Sequence, residues 1–329
     1  MDDVLKIENL KISFDAYAGE VQAVRGVSLR VGEGEILALV GESGCGKSVT
    51  ARSILRLDPA PPARVREGSI TLCGVDILSA TERELEGLRG KLAGMVFQDS
   101  MTGLNPSMKV GRQITEALLR RKELSRKECA AESVRLLELV QIPDAAQRAG
   151  QYPHEFSGGM RQRAMIAMAL ARKPRLLIAD EPTTALDVTI QKEILLLLHR
   201  LRRETGTAVL LITHDLSVVA NLADRMAVMY AGKIVEEGPV EALFRRSAHP
   251  YTQGLLESLP KPGEGGELSS IPGTPPDLYA PPPGCGFAPR CRACMRLCLT
   301  EEPPMFPVGG GHAAACWLLH PDCPERGMV

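Results

Sequence analysis

An α/β protein built on a parallel sheet and carrying a helical insertion is the fold class this sequence predicts. Three observations carry that expectation. Short apolar runs at residues 36–40, 176–180 and 208–212 alternate with helical stretches, as expected of strands buried on both faces by crossover helices. The first run passes straight into Gly41-Glu42-Ser43-Gly44-Cys45-Gly46-Lys47-Ser48, a glycine loop followed by a plausible helix. Residues 110–142 then turn helical and charged, with a break near Leu124-Ser125 that reads as two surface helices.

Along the chain, residues 3–40 alternate apolar and polar in short runs such as Val27-Ser28-Leu29-Arg30-Val31, which predicts a β-rich start. Residues 68–74 read as a further strand near a sheet edge. A helix is expected after Ser157, a strand ending at Asp180, a helix over 189–204 and a strand over 208–212. After residue 259 the composition changes: prolines 260, 262, 272, 275, 276 and 281–283 mark a linker or wrapping arm over 260–284, because proline denies the backbone both helix and central strand. A cysteine-rich unit follows over 285–329.

Bulk composition narrows the class. A chain of 329 residues with 44% hydrophobic and 24% charged content can bury a large core. A formal net charge of −1 supplies no global field for nucleic acid or acidic lipid. The start, Met1-Asp2-Asp3-Val4-Leu5-Lys6, lacks the basic and apolar regions of a secretory signal. The longest apolar run, 164–171, is shorter than the ~20 residues of a spanning helix, so a membrane role is expected to come through a partner. Nine cysteines without an export signal read as reduced thiols.

Three motifs carry chemistry. In Gly41 to Ser48 the glycines let backbone amides curl around phosphates, Lys47 reaches the β- and γ-phosphates, and the Ser48 hydroxyl ligates Mg²⁺. Val49 continues the same segment. The strand 176–180 delivers Asp180 at its C-terminal end, where open parallel sheets bind ligands and where it is expected to hold Mg²⁺ through water, and Glu181 follows as the candidate to orient or activate the attacking water. An apolar strand ending in Asp-Glu is common by itself; the upstream phosphate loop gives it meaning. Ser157-Gly158-Gly159-Met160 opens a helix, with serine as N-cap and two glycines exposing the first amides. Capping alone would explain the serine. A second phosphate-binding helix end makes sense if two chains face each other and each helix meets the γ-phosphate held by the other.

On these residues the chain resembles the ATP-binding subunits of ABC transporters over residues 3–260. The resemblance implies a P-loop NTPase core of the ABC ATPase type, with an N-terminal antiparallel β subdomain, a helical subdomain at roughly 99–172 and an ATP-binding domain over 1–259. It implies that Gln98, in Val96-Phe97-Gln98, senses Mg²⁺ and the attacking water. Asp187, in Ala185-Leu186-Asp187, communicates across the dimer, and His214 serves as the switch histidine. Phe14 is the expected adenine-stacking aromatic, with Tyr17 its rival. Met160 departs from the glutamine of most signatures.

Residues 98–106 (Gln98-Asp99-Ser100-Met101-Thr102-Gly103-Leu104-Asn105-Pro106), the Met-type signature and His249-Pro250-Tyr251-Thr252 are similar to importers of the oligopeptide, dipeptide and nickel group. The tail resembles the C-terminal extension of peptide-importer ATPases, where Cys285, Cys291, Cys298 and Cys316 match the ligands of a [4Fe–4S] cluster. Spacing leaves other readings open: a subset built on Cys291, Cys294 and Cys298, a zinc site, or thiols that simply pack.

The expected function is that of a cytoplasmic-face, peripheral ATPase subunit that powers import of di- or oligopeptides. ATP and Mg²⁺ are its cofactors. Its expected partners are a second ATPase chain, different or identical, two membrane permeases and, indirectly, a solute-binding protein; nucleic acid is not among them. The alternatives are the same machine carrying nickel or a metal chelate, and a soluble ABC ATPase with a zinc-type interaction tail. The single phosphate loop and the short span between Ser48 and Ser157 argue against translation-type and repair-type ABC proteins.

Overall fold

The computed structural model describes residues 3–17, 19–99, 103–120, 123–184, 186–259 and 270–323. In chain order the strands are β1 (Asp3–Ala16), β2 (Gly19–Gly32), β3 (Ile36–Val40), β4 (Ala63–Leu72), β5 (Val75–Asp76), β6 (Ala93–Val96), β7 (Leu176–Asp180), β8 (Ala208–Thr213), β9 (Arg225–Tyr230), β10 (Lys233–Pro239), β11 (Phe306–Gly309) and β12 (His312–Ala314).

One sheet is antiparallel in the order β2-β1-β4-β5. The run at 68–74 turns out to contain the end of a ten-residue strand, β4, which lies inside the sheet with the two-residue β5 at the edge. Its first half, Ala63-Arg64-Val65-Arg66-Glu67, hides from a hydrophobicity pattern because it is largely exposed.

The second sheet runs β11-β12-β10-β9-β3-β8-β7-β6. Its centre, from β9 to β6, is parallel. β3, β7 and β8 are buried at every residue, which is why they read as unbroken apolar runs. The strand order matters more than the strand count. Because β8 lies between β3 and β7, and β6 flanks β7, four segments distant in sequence leave the sheet side by side at its C-terminal edge. Those exits carry Gly41, His214, Asp180-Glu181 and Gln98.

The helical insertion contains helices Val110–Leu119 and Arg126–Leu139. The break between them is set by Ser125 and Glu128, whose side chains each bond the other's backbone amide in a capping box. Buried Arg163 ties the insertion together: it donates to Val140 O at 2.8 Å and pairs with Glu193 at 2.7 Å. Helix Val188–Thr205 starts on the Asp187 cap and ends at Gly206, whose φ of 68° is the left-handed stop glycine tolerates.

Three apolar clusters fill the molecule. One packs the insertion against Val188–Thr205, the second joins the antiparallel sheet to the parallel one, and the third lies against β9 and β10. The third includes Tyr230, Tyr251 and Phe287, with the two tyrosine rings 4.5 Å apart and Phe287 edge-on to Tyr230 at 5.3 Å.

Strand β12 adds to β10 through Glu236↔Ala314 and Glu237↔Ala313. Beside that pairing, fully buried Glu236 meets His312 Nε2 at 2.7 Å and accepts from the amides of Ala248 and His249. A buried carboxylate needs all of these partners.

Candidate nucleotide site

The phosphate loop is held in a shape only glycine permits. Gly41 has φ 151° and Gly46 φ 105°. A Cβ on Gly41 would stand 2.1 Å from Met229 O, and one on Gly46 2.3 Å from Ala23 O. The loop is therefore pressed against β9 and β2. Gly46 is the N-cap of helix Lys47–Ser53. Lys47 is 5% exposed, and its Nζ donates to Gly41 O and Glu42 O, each at 2.8 Å. Buried Cys45 lies below the loop, and burial pushes its thiol pKa up. Ser43 and Gly44 are exposed, while Val49 is half-buried against the second core cluster.

Ser48 Oγ donates to Asp180 Oδ1 at 2.9 Å, which brings together two of the three residues expected at Mg²⁺; the third, Gln98, bonds Glu181 instead. Asp180 is 4% exposed, and burial raises its carboxyl pKa against the opposing Ser48 hydrogen bond. A carboxylate that burial disfavours as an anion is a natural place for a divalent cation, which restores the charged form.

Glu181 is the hub of the site. Its φ of 46° is uncommon for a residue with a side chain and aims the carboxylate across the sheet edge. Oε2 accepts from Gln98 Nε2 at 2.9 Å and from Thr184 Oγ1 at 2.8 Å, and His214 Nδ1 stands 3.5 Å from Oε1. The three residues singled out for catalysis thus meet at one carboxylate. Thr184 escaped the sequence reading. Its only signal was a hydroxyl three residues after Glu181, which looks like ordinary turn chemistry.

Ser157 caps helix Gly158–Leu170, accepting from Met160 N at 3.3 Å. Gly159 is buried, and a Cβ there would meet Ile190 Cγ2 at 2.6 Å; at Gly158 the nearest atom, Leu186 Cδ2, is 3.4 Å away. Met160 packs into the insertion's core. Among the described residues no hydrogen bond joins 157–160 to 41–48, so within one chain the two glycine-rich segments stand apart. Asp187 accepts from Ile190 N at 3.0 Å, and Gln191 Nε2 donates to Thr183 O and Leu186 O. These contacts tie the turn after Glu181 to the start of helix Val188–Thr205. Ala185, and Ser100, Met101 and Thr102 of the 98–106 stretch, lie outside the described residues.

Phe14 sits half-buried on β1 against the second cluster, while Tyr17 is fully exposed in the turn before β2. In the tail, the expected convergence of Cys285, Cys291, Cys298 and Cys316 on a metal is not met at bonding distance: among the described residues, no three His, Cys, Asp or Glu side chains are grouped so as to hold a metal ion. The thiols do feel one another. Burial above all pushes Cys291 up to about 11 and Cys316 to about 12 and raises Cys285, against backbone hydrogen bonds to each thiol and with smaller contributions from neighbouring cysteines, Cys294 and Cys298 among them.

Among the described residues no helix is long and apolar enough to cross a membrane. Residues 24–184 match the family model described as ABC transporter, and residues 235–298 match the one described as oligopeptide/dipeptide transporter, C-terminal region. The chain is 54% identical over 324 residues to the oligopeptide transport ATP-binding protein OppD of Bacillus subtilis (strain 168), covering 98% of this chain and 90% of that one. It is 53% identical to the dipeptide transport ATP-binding protein DppD of the same organism, covering 97% and 95%. Among solved structures it is similar to the dimeric post-hydrolysis state of the ATP-binding cassette MJ0796 bound to ADP and Pi, with TM-score 0.65 and 28% identity, covering 72% of this chain and 98% of that one.

Proposed function

The chain belongs to the ABC transporter family, among the oligopeptide and dipeptide transport ATP-binding proteins, and from that membership we propose that it binds and hydrolyses ATP to power peptide import. The observation that carries the chemistry is the meeting of Gln98, Thr184 and His214 on Glu181, beside the Ser48–Asp180 pair.

In this reading the amides of Gly44 to Ser48 and the Lys47 ammonium bind the phosphates, and Phe14 rather than exposed Tyr17 stacks on the base. Ser48, Asp180 and Gln98 would hold Mg²⁺, which would supply charge neutralisation at the phosphates. Glu181 accepts a proton from the attacking water, Gln98 and Thr184 hold that carboxylate in place, and His214 contacts the γ-phosphate. Catalysis of phosphoryl transfer is then mostly positioning and charge stabilisation. Ser157, Gly158 and Gly159 act on the ATP of a second cassette, and Asp187 relays between the two. The partner cassette, two permeases and a solute-binding protein complete the machine, with this chain peripheral on the cytoplasmic face and the 98–106 region against a permease.

The test is the ATPase rate of the assembled complex. It is expected to rise when the solute-binding protein is loaded with a di- or oligopeptide. A complex that ignores peptides and responds to nickel(II) would move the cargo to the metal reading.

The tail carries a finer proposal: Cys285, Cys291, Cys298 and Cys316 ligate a [4Fe–4S] cluster. Its support is the likeness of the tail to the C-terminal extension of peptide-importer ATPases and the softness of a thiolate donor set. Anaerobic purification is expected to yield iron and sulfide with a brown colour. Stoichiometric zinc without iron would replace the cluster, and neither metal would leave packed thiols.

A further inference from the structure

One tail residue reaches into the phosphate loop. Arg290 lies between Cys285 and Cys291, in the turn Ala288–Arg290, and its side chain is 5% exposed. Its guanidinium forks onto the Glu42 carboxylate, with one terminal nitrogen 2.8 Å from Oε2 and the other 3.0 Å from Oε1. The remaining N–H groups go to Tyr230 Oη at 3.2 Å, Pro272 O at 2.9 Å and Ile271 O at 3.2 Å. Every donor of the fork is engaged, in the bidentate geometry that makes arginine–carboxylate pairs strong and directional. The guanidinium also lies 5.8 Å from the Tyr230 ring centroid and 5.9 Å from that of Phe287.

Glu42 is a meaningful place to be held. It is the second residue of the loop, and the loop's other fixtures meet on its backbone. Its amide donates to Tyr251 Oη at 2.9 Å, and its carbonyl accepts from Lys47 Nζ at 2.8 Å. The tail grips the side chain, the helix Pro250–Glu257 grips the amide, and the lysine that must reach the phosphates is held at the carbonyl. A shift of Glu42 therefore displaces both the start of the loop and the groups that hold Lys47. Tail segments 271–272 and 285–291 share the single arginine that sets this position, so docking of the tail and the shape of the loop are mechanically joined.

We infer that Arg290 is a positioning residue for the phosphate loop, and that through the Arg290–Glu42 pair the docked tail sets the chain's affinity for a nucleoside triphosphate. The inference rests on the ATP-binding reading above. Its physical basis is twofold. The pair fixes the loop's entry, which lowers the ordering cost of binding. It also neutralises a carboxylate, 25% exposed, that would otherwise face the incoming triphosphate unpaired. Coupling of this kind is reciprocal: if the docked tail favours ATP, ATP must favour the docked tail by the same factor.

The test uses the full-length chain in its assembled complex and a fluorescent N-methylanthraniloyl-ATP as probe. Arg290→Ala is expected to weaken probe binding by about 5- to 150-fold and to raise KM for ATP more than it lowers kcat. Arg290→Lys should recover part of the loss, since it keeps the charge but not the fork. Glu42→Gln should weaken binding less than Arg290→Ala, and the double variant should be no worse than Arg290→Ala alone. Hydrogen exchange of residues 270–298 should slow on adding ATP in the wild type and not in Glu42→Gln. That last readout reports coupling, which a mere structural staple would not produce. Three results would overturn the inference: wild-type affinity in a folded Arg290→Ala, additive losses in the double variant, or no ATP-dependent protection of the tail. Where Arg290→Ala does not fold, Glu42→Gln and Arg290→Lys decide it alone. A wild type that binds no probe at all would instead remove the ATP-binding reading itself.

Discussion

Glutamine in place of Glu181 is expected to leave ATP bound and to lower turnover in the assembled complex by about 10²- to 10⁴-fold, the usual contribution of a positioned general base. The substitution is informative because it changes so little else. An amide oxygen at position 181 can still accept from Gln98 Nε2 and Thr184 Oγ1, so the hydrogen-bonded frame that holds the side chain survives. Lys47 and the Ser48–Asp180 pair are untouched, and with them the phosphate cradle. What disappears is the carboxylate that takes a proton from water. Steady-state phosphate release, paired with equilibrium ATP binding, separates the two effects. Near-normal release would exclude Glu181 from the role of base.

The second large effect is expected at the other glycine-rich segment. Gly158→Asp should leave the ATP affinity of the isolated chain within about twofold of wild type, yet reduce turnover of the complex by about 10²- to 10³-fold, comparable to loss of one transition-state hydrogen-bond donor. A side chain fits at this position, since the nearest atom to a Cβ is the flexible tip of Leu186 at 3.4 Å. The fold is therefore preserved, whereas Gly159, with Ile190 Cγ2 at 2.6 Å, would confound stability with function. The added carboxylate sits at the start of helix Gly158–Leu170, where the exposed amides favour an anion and a fixed negative charge repels one. The chain's own phosphate loop shares no hydrogen bond with this helix end among the described residues, so its own nucleotide should not notice the change. Loss of affinity in the isolated chain would mean that both segments serve one ATP within a single subunit.

Most of the nucleotide machinery was legible because it is local. Gly41 to Ser48 is one unbroken segment whose glycines answer to nearby backbone, and Asp180 and Glu181 end a strand whose burial shows as an apolar run. Family likeness implies that Gln98 and His214 belong to the nucleotide site, but their meeting at Glu181 is a consequence of the order β3-β8-β7-β6, which no single segment encodes. Thr184 was missed because a hydroxyl in a turn has a commoner explanation.

The tail is the least legible part of the sequence, for three reasons. Strands β11 and β12, with four and three residues, are too short for alternation to register. The cysteine spacing drew attention to a metal, while the described thiols do not gather closely enough to hold one. The residue between those cysteines that matters to the loop, Arg290, finds its partner 248 positions away, where neither composition nor period gives a clue. Tyr251 illustrates the same limit. Its segment stood out as a group marker, but its hydroxyl's bond to the Glu42 amide is visible only in three dimensions.

The proposal that ATP is clasped between two cassettes is tested most directly by the distance between this chain's glycine helix and the partner cassette's phosphate loop. A spin label at exposed Tyr152, introduced through a non-cysteine handle because the chain has nine cysteines, and a second label beside the partner's loop would report it in the assembled complex. With Glu181→Gln and MgATP the distance should shorten to a single narrow population, with ADP it should lengthen again, and Gly158→Asp should not close. ATP bound and hydrolysed at the wild-type rate, with the two surfaces never approaching, would contradict the account.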